Sequence, residues 1–233
     1  MLEIKNVSTK YGHLPILMDV SISVARGETV CILGANGAGK TTLLKTIVGM
    51  VKPTAGEILF DNELISNLSP HQVVKSGIAI CPEREGLFPK MSIESNLFLG
   101  AYYETDKNKI QQRFEEVSSI FPWIRRRLRQ KAGTLSGGER KMLTLARALM
   151  SGPKLILMDE PSLGLAPATV IEVFNVIKKI VNDAQISILL IEQNAQKALD
   201  VAQRGYVLQK GSVILEGASK GLCNEDFVQR CYL

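Results

Sequence analysis

The chain has little of what builds metal centres or disulfide frameworks. Its 233 residues include two histidines and four cysteines, and no two cysteines have the C-x-x-C spacing. We therefore expect neither a zinc site nor structural disulfides, but free thiols in a reducing compartment. Cys31 and Cys81 stand in apolar runs, where a buried thiol packs as a small hydrophobic residue.

Long hydrophobic runs are also absent. No apolar stretch approaches the ~20 residues that cross a bilayer, and the first five residues do not resemble the start of a signal peptide. We expect a cytoplasmic protein which, if it works at a membrane, is held on its inner face by another chain. With 45% hydrophobic residues, the chain is suited to one large globular domain.

Aromatic residues make up only 6% of the chain, which matters for whether its basic residues bind nucleic acid. The net charge of +5 permits an anionic partner, such as a nucleotide, a membrane surface or a nucleic acid, but selects none of them. A cluster of five cations lacks the interleaved aromatics of nucleic-acid platforms, so we interpret it as a solvated helix face and expect no nucleic-acid partner. Its members are Arg125, Arg126, Arg127, Arg129 and Lys131.

What the chain does have is a glycine-rich stretch between a short apolar run, residues 29–33, and a helical pattern. The stretch is Gly34-Ala35-Asn36-Gly37-Ala38-Gly39-Lys40-Thr41-Thr42. It matches the phosphate-binding pattern G-x-x-x-x-G-K-[ST], in which glycines let successive backbone N–H groups point at a phosphate chain. The alternative is an ordinary glycine-rich turn between a strand and a helix.

The residues that close this loop favour a nucleotide triphosphate. A helix that opens at Lys40 directs its positive dipole end at the phosphates, and the Lys40 ammonium can reach the β- and γ-phosphates. The Thr41 hydroxyl is placed to bind Mg²⁺, which keeps most of its waters and takes few protein ligands.

A second helix start in the sequence is also suited to binding an anion. Ser136 and Glu139 form a capping box, and Gly137 and Gly138 lie in the first turn of the helix that follows. Two glycines there weaken a helix by about 1 kcal/mol each relative to alanine, but they leave a bare end that an anion can approach. The alternative is simply a well-capped helix.

An acidic pair follows a third apolar run. Residues 155–158 are wholly apolar and lead into Asp159 and Glu160. Carboxylates at the C-terminal edge of a parallel sheet lie where α/β proteins bind ligands. Asp159 can hold Mg²⁺ through water, and Glu160 can polarise an attacking water molecule.

The remaining patterns outline an α/β fold. Alternation or apolar runs predict further strands, and 3.6-residue spacing predicts helices. The expected strands are residues 2–7, 20–25, 56–60, 77–81 and 186–191, with a hairpin at Lys210-Gly211. The expected helices are residues 107–121, 137–150, 167–181, 195–202 and the C-terminal segment 219–233. Tyr11, beside a turn glycine, is a candidate to stack on a purine.

In this order, the phosphate-binding loop, Leu135-Ser136-Gly137-Gly138-Glu139 and the acidic strand end resemble the ATP-binding-cassette ATPases over the whole chain. The resemblance implies an α/β P-loop NTPase with a RecA-like core sheet, an N-terminal antiparallel β subdomain and an inserted α-helical subdomain. The core would comprise residues 1–87 and 154–233, and the helical subdomain residues 88–153. It also implies ATP and Mg²⁺ as cofactors.

The same resemblance implies a head-to-tail dimer with a second ATPase subunit, identical or different. Each ATP would lie between the P-loop of one subunit and residues 136–138 of the other. Residues 162–165 match the loop that follows the catalytic glutamate. The chain departs from the common pattern at Glu83, where most members have glutamine, and at Gln193, where most have a γ-phosphate-contacting histidine. Gln193 can donate a hydrogen bond but cannot carry a proton.

The predicted site residues follow from these matches. The predicted catalytic residues are Glu160, Gln193 and Lys40. The predicted metal-site residues are Thr41, Asp159 and Glu83. The predicted nucleotide-binding residues are Tyr11, Gly34, Asn36, Gly37, Ala38, Gly39, Lys40, Thr41, Thr42, Ser136, Gly137 and Gly138.

Several segments are similar to one subgroup, the ATPase subunits of branched-chain amino acid importers. They are Pro82-Glu83, Phe88-Pro89, residues 162–167, residues 191–195 and the closing Tyr232-Leu233. The expected partners are membrane permease subunits and, indirectly, a solute-binding protein. Three alternatives remain open: a urea or amide importer ATPase, a soluble cassette ATPase acting on DNA or ribosomes, and a nucleotide-binding scaffold that hydrolyses little ATP.

Overall fold

The computed structural model describes residues 1–84, 86–184, 186–223 and 228. Over these residues the strands are β1 (Leu2–Tyr11), β2 (Leu14–Val24), β3 (Thr29–Leu33), β4 (Ala55–Phe60), β5 (Glu63–Leu64), β6 (Ile78–Cys81), β7 (Leu155–Asp159), β8 (Ser187–Glu192), β9 (Arg204–Gln209) and β10 (Ser212–Ala218). The helices are α1 (Lys40–Ile47), α2 (Pro70–Lys75), α3 (Ile93–Phe98), α4 (Lys107–Ile120), α5 (Trp123–Arg127), α6 (Gly137–Met150), α7 (Pro167–Ala184), α8 (Ala195–Leu199) and α9 (Ser219–Leu222). None of these helices is long and apolar enough to span a membrane.

A six-stranded sheet forms the centre of the fold, in the order β10-β9-β3-β8-β7-β6. All neighbours are parallel except the β9–β10 hairpin. Every residue of β3, β7 and β8 is buried, which explains why these strands are continuous apolar runs rather than alternating ones. The parallel pairing brings the carboxyl ends of β3, β7 and β8 to one edge.

A four-stranded antiparallel sheet, in the order β2-β1-β4-β5, packs on one face of the central sheet. The sequence predicted only parts of β1 and β2, residues 2–7 and 20–25. Both strands run on because register shifts, with Asn6 and Asp19 at positive φ, interrupt the alternation without ending the pairing. Tyr11 therefore lies at the end of β1, opposite Leu14.

Two hydrophobic cores lie on opposite faces of the central sheet. Val30 and Ile32 of β3 face one core together with α1 and the antiparallel sheet. Cys31 and Leu33 face the other, together with α3, α6 and α7. Burial raises the pKa of the Cys31 and Cys81 thiols to about 12, so both stay protonated, as expected for packing residues.

The segment 88–153 is largely helical, as predicted, but shares its core with the sheet. Val117 of α4 and Leu143 of α6 belong to the same buried cluster as Ile156 of β7 and Leu190 of β8. Because α6 packs against α3 and α4 as well as α7 and β6, the division into a core and a helical subdomain stays a prediction.

Most other predicted elements are confirmed, within one to three residues at their ends. The predicted helix 195–202 is too long, since α8 ends at Leu199 and the N–H of Gln203 already donates to Thr29 O at the entry to β9. The sequence missed α2, although Ser69 and Gln72 form a capping box there. Of the predicted C-terminal helix, α9 covers 219–222, and most of the rest, with Tyr232 and Leu233, lies outside the described residues.

Candidate active site

Three chain segments meet at the carboxyl edge of the central sheet. The glycine-rich loop follows β3, Asp159 and Glu160 end β7, and Glu192 and Gln193 end β8, which lies between the other two strands. They border a cleft of about 510 Å³. The residues that line it are Ile16, Asn36, Gly37, Gly39, Lys40, Thr41, Thr42, Glu83, Glu160, Leu163 and Gln193.

The glycine-rich loop lets other groups approach its backbone closely. Gly39, the residue before α1, has φ +107°, and a Cβ atom there would lie 2.9 Å from Leu17 Cδ2. No side chain caps the start of α1. The first N–H groups of this helix, which have no acceptors within it, are therefore available to an anion in the cleft.

Lys40 is buried at the start of α1, with 4% of its surface exposed. Its ammonium donates to Gly34 O at 2.7 Å and to Ala35 O at 3.2 Å, and lies 3.3 Å from Glu160 Oε1. A cation held by two carbonyl groups and one carboxylate can exchange these contacts for phosphate oxygens without leaving the cleft.

Thr41 and Asp159 fit a magnesium ion. Thr41 Oγ1 and Asp159 Oδ1 are 3.4 Å apart, so the Asp159 carboxylate could accept a hydrogen bond from a water of an ion bound to the Thr41 hydroxyl. Burial raises the pKa of Asp159, and the neighbouring Glu160 and Glu83 carboxylates raise it further. The hydrogen bond from Thr41 and the charge of Lys40 act in the opposite direction. A divalent cation near Asp159 would offset the unfavourable burial of its negative charge. No cluster of three acidic, histidine or cysteine ligands occurs among the described residues.

Glu160 is held from two sides. Its backbone adopts a left-handed conformation, φ 45°, and its N–H donates to Ile191 O at 2.9 Å. The side-chain nitrogen of Gln193 donates to both carboxylate oxygens, at 3.0 and 2.9 Å, and also to Asn36 Oδ1. Glu160 is 7% exposed, so its carboxylate is held in a fixed position at the edge of the cleft.

Glu83 borders the cleft opposite Glu160. Its backbone carbonyl accepts a 2.7 Å hydrogen bond from the ammonium of Lys141, a 7% exposed residue of α6. Lys141 is not among the predicted site residues; its one signal in the sequence is a cation next to the apolar stripe of a helix.

The start of α6 has the predicted capping box but lies away from the cleft. Ser136 Oγ accepts from Glu139 N at 3.2 Å, and Glu139 Oε2 accepts from Ser136 N at 2.9 Å. Arg127 pairs with Glu139, and this pair lowers the pKa of Glu139. Ser136 and Gly138 border a different cavity of about 500 Å³. One copy of the chain therefore does not bring residues 136–138 to its own phosphate-binding loop.

Several other predicted residues do not border the cleft. Tyr11 is 48% exposed and does not line it; Ile16 does. Gly34 and Ala38 support the loop from behind, and a Cβ atom at Gly34 would lie 2.5 Å from Leu208 O. Leu163 lines the cleft, although the sequence places it only in the loop after Glu160.

The basic cluster is only partly a solvated face. Arg125 pairs with Glu115, whereas Arg126, Arg129 and Lys131 are exposed. Arg127 also lies over the Trp123 ring, 5.5 Å from its centroid. Arg127 is thus partly buried, whereas the other four cations, Arg125 with its surface ion pair included, are exposed as expected of a solvated face.

The family model described as ABC transporter matches residues 17–163. The chain belongs to the ABC transporter ATPase family. Like other members it is an ATP hydrolase, and the expected P-loop NTPase fold and ATP as substrate are confirmed.

Three relatives match over nearly their whole length. The chain is 41% identical to the high-affinity branched-chain amino acid transport ATP-binding protein BraG of Pseudomonas aeruginosa, over 100% of this chain and 99% of that protein. It is 36% identical to a probable branched-chain amino acid transport ATP-binding protein LivF of Archaeoglobus fulgidus, over 99% and 98%. It is 34% identical to the lipopolysaccharide export system ATP-binding protein LptB of Escherichia coli, over 100% and 96%.

Solved structures agree with the fold. An ATP-binding cassette of an ABC transporter in its ADP conformation superimposes with a TM-score of 0.88 at 29% identity, covering 100% of this chain and 98% of the other. A dimeric ATP-binding cassette in a post-hydrolysis state, bound to ADP and Pi, gives 0.82 at 26% identity, covering 94% and 99%.

Proposed function

We propose that this chain is the ATP-hydrolysing subunit of an importer for branched-chain amino acids, working with separate permease subunits on the inner face of the membrane. The observation that carries the proposal is the 41% identity to a branched-chain amino acid transport ATP-binding protein across both full lengths. The lipopolysaccharide export relative is also full-length, at 34%, so the transported solute has to be tested directly.

ATP would lie along the glycine-rich loop with its phosphates at the start of α1. Lys40 would leave the Gly34 and Ala35 carbonyls for the β- and γ-phosphates. Thr41 would bind Mg²⁺ directly and Asp159 through water, with Glu83 on the open side of the ion. When bound, Mg²⁺ supplies positive charge that stabilises the transferring phosphoryl group.

Glu160 would then accept a proton from the attacking water. In the structure its carboxylate contacts the Lys40 ammonium and the Gln193 side-chain nitrogen. Both partners have hydrogen-bond donors that a γ-phosphate attracts, so ATP binding would free the carboxylate as it draws Lys40 and Gln193 away. Gln193 would contact the γ-phosphate as a neutral donor.

A second ATPase subunit, identical or different, would complete the site. Residues 136–138 form a helix start with two glycines that faces away from the cleft of its own chain, and such an end binds anions. A head-to-tail arrangement would place it over the partner's ATP. Tyr11, exposed at the end of β1, would stack on the adenine in that closed state.

The permease would contact the helical face near Glu83. Phe88, Leu99, Tyr102 and Tyr103 are exposed around one cavity of about 400 Å³. An apolar patch of this kind is typical of a protein contact. Lys141, on α6, joins this region to the cleft through its bond to Glu83 O.

Uptake by cells tests the proposal. The native copy is replaced by a Lys40→Ala variant, and by Lys45→Ala as a control, because Lys45 is exposed on the same helix. We expect Lys40→Ala to abolish uptake of labelled leucine and to leave urea uptake unchanged, while Lys45→Ala behaves as wild type. Normal leucine uptake in the Lys40→Ala cells would refute the proposed function.

A further inference from the structure

A buried carboxylate with no assigned role lies next to Gln193. Glu192 ends β8 and is 2% exposed. Its Oε1 accepts from Ser162 N and its Oε2 from Ser162 Oγ, both at 2.9 Å. Ser162 stands two residues after Glu160, so Glu192 ties the loop that follows Glu160 to the strand end that carries Gln193.

That loop leads directly to the start of α6. Leu165 N donates to Ser162 O at 3.3 Å, and Leu165 Cδ2 lies 3.9 Å from the position of a Cβ atom on Gly137. Thr169, in the first turn of α7, is packed so closely that its Cγ2 would lie 2.2 Å from a Cβ atom on Gly138. The loop and the start of α7 therefore pack against the two glycines at the start of α6.

We propose that Glu192 is a positioning residue that transmits the state of this chain's own ATP site to the glycine start of α6, and so to the ATP of a neighbouring subunit. The inference rests on the proposed function, because it needs ATP at the loop of residues 34–42 and a partner's ATP at residues 136–138. It adds a route between the two sites: Gln193 and Glu192, then Ser162, then Leu165 and Thr169, then Gly137 and Gly138.

The physical basis is the strength of the link at Glu192. Both hydrogen bonds between Glu192 and Ser162 are buried at the Glu192 end, where water cannot readily replace them. When Gln193 shifts to follow the γ-phosphate, the adjacent Glu192 shifts with it and carries Ser162. A weak or absent link would let the strand end move while the loop stays behind.

The test uses hydrogen–deuterium exchange of the full chain with and without Mg²⁺ and ATP. Glu192→Met removes both acceptors at similar volume, and Glu192→Gln retains the shape and can make neutral hydrogen bonds to Ser162. Ser162→Ala, at a partly exposed loop position, removes one of the two bonds. It keeps the experiment informative if the Glu192→Met variant fails to fold. Glu28→Met is the matched control, because Glu28 is also a hydrogen-bonded carboxylate, bridging Ala25 N and Arg204 away from the cleft.

We expect ATP to protect residues 34–42 in every variant and to change exchange at 136–139 in wild type and Glu28→Met. In Glu192→Met the change at 136–139 should disappear and kcat should fall about tenfold, with KM for ATP within about twofold. Ser162→Ala should lose part of the response, and Glu192→Gln should restore most of it.

Two results would overturn the inference without touching the proposed function: an unchanged response at 136–139 in both Glu192→Met and Ser162→Ala, or no response there in wild type despite protection of 34–42. Absence of protection at 34–42 in wild type would overturn both.

Discussion

Gln193 donates from one side-chain nitrogen to both carboxylate oxygens of Glu160, at 2.9 and 3.0 Å. The same nitrogen reaches Asn36 on the phosphate-binding loop. The neutral Gln193 amide thus connects Glu160, which follows β7, to the loop that follows β3. Since an amide does not titrate, Gln193 brings no ionisation of its own to this contact.

The first prediction concerns pH. In a Gln193→His variant, Glu160 would raise the pKa of the introduced imidazole by stabilising its cation. We expect the rate of phosphate release to acquire a step between about pH 6 and 8 that wild type lacks. Initial rates at saturating ATP measure this. Gln193→Ala, which lacks both donor and titration, should be at least about tenfold slower than wild type at every pH. Parallel pH profiles for wild type and Gln193→His would contradict the assignment.

The second prediction concerns Glu160 itself. Glu160→Gln keeps the shape of the side chain but cannot accept a proton, so kcat should fall by about 10²–10⁴-fold while ATP affinity stays within a few-fold. Steady-state phosphate release and ATP titration separate the two effects. Glu63→Gln, on the exposed strand β5, is the control. A Glu160→Gln variant with wild-type kcat would show that another group is the base.

The third prediction concerns Lys40. Replacement by methionine removes the cation that would meet the phosphates, and a charged hydrogen bond contributes about 1.5–3 kcal/mol. We expect ATP affinity to fall by about 10- to 100-fold in calorimetric titration. Lys45→Met should bind as wild type does. Unchanged affinity in Lys40→Met would mean that this ammonium stays on the Gly34 carbonyl when ATP is bound.

The fourth prediction concerns stability and Asp159. Because the pKa of Asp159 is raised in the folded chain, the folded state binds its proton at a pH where the unfolded state has lost it. The contribution of this group to the free energy of unfolding therefore decreases as pH rises from the usual aspartate pKa through the raised value. Asp159→Asn should be more stable than wild type at pH 7 without nucleotide, and the difference should shrink on acidification. Urea unfolding at pH 4, 5 and 7 measures it; lower stability of the variant at pH 7 would contradict the sign.

Sequence alone predicted the parts of the site that are local. The glycine-rich loop, Lys40 and Thr41 are consecutive in the chain, and Asp159 and Glu160 end an apolar run, so strand pairing alone brings these groups to one edge. The capping box of Ser136 and Glu139 is local too, and the structure has it.

The missed features depend on contacts between distant segments. Lys141 and Glu192 are single charged residues whose partners lie 58 and 30 positions away, and no spacing rule connects them. The extensions of β1 and β2 were missed because register shifts near Asn6 and Asp19 break the alternation that marks a strand. The helix predicted over 195–202 ends early because the backbone N–H of Gln203 bonds to Thr29 O of β3. This is a tertiary contact that local helix propensity does not reflect.

The most direct test is a structure of Glu160→Gln bound to Mg²⁺ and ATP, in the complex purified from the native membrane. We predict Lys40 Nζ within hydrogen-bond distance of the γ-phosphate, and residues 136–138 of the neighbouring ATPase subunit on the opposite side of the same phosphate. A γ-phosphate without contact to Lys40, or one that residues 136–138 of a neighbouring subunit do not approach in the closed complex, would contradict it.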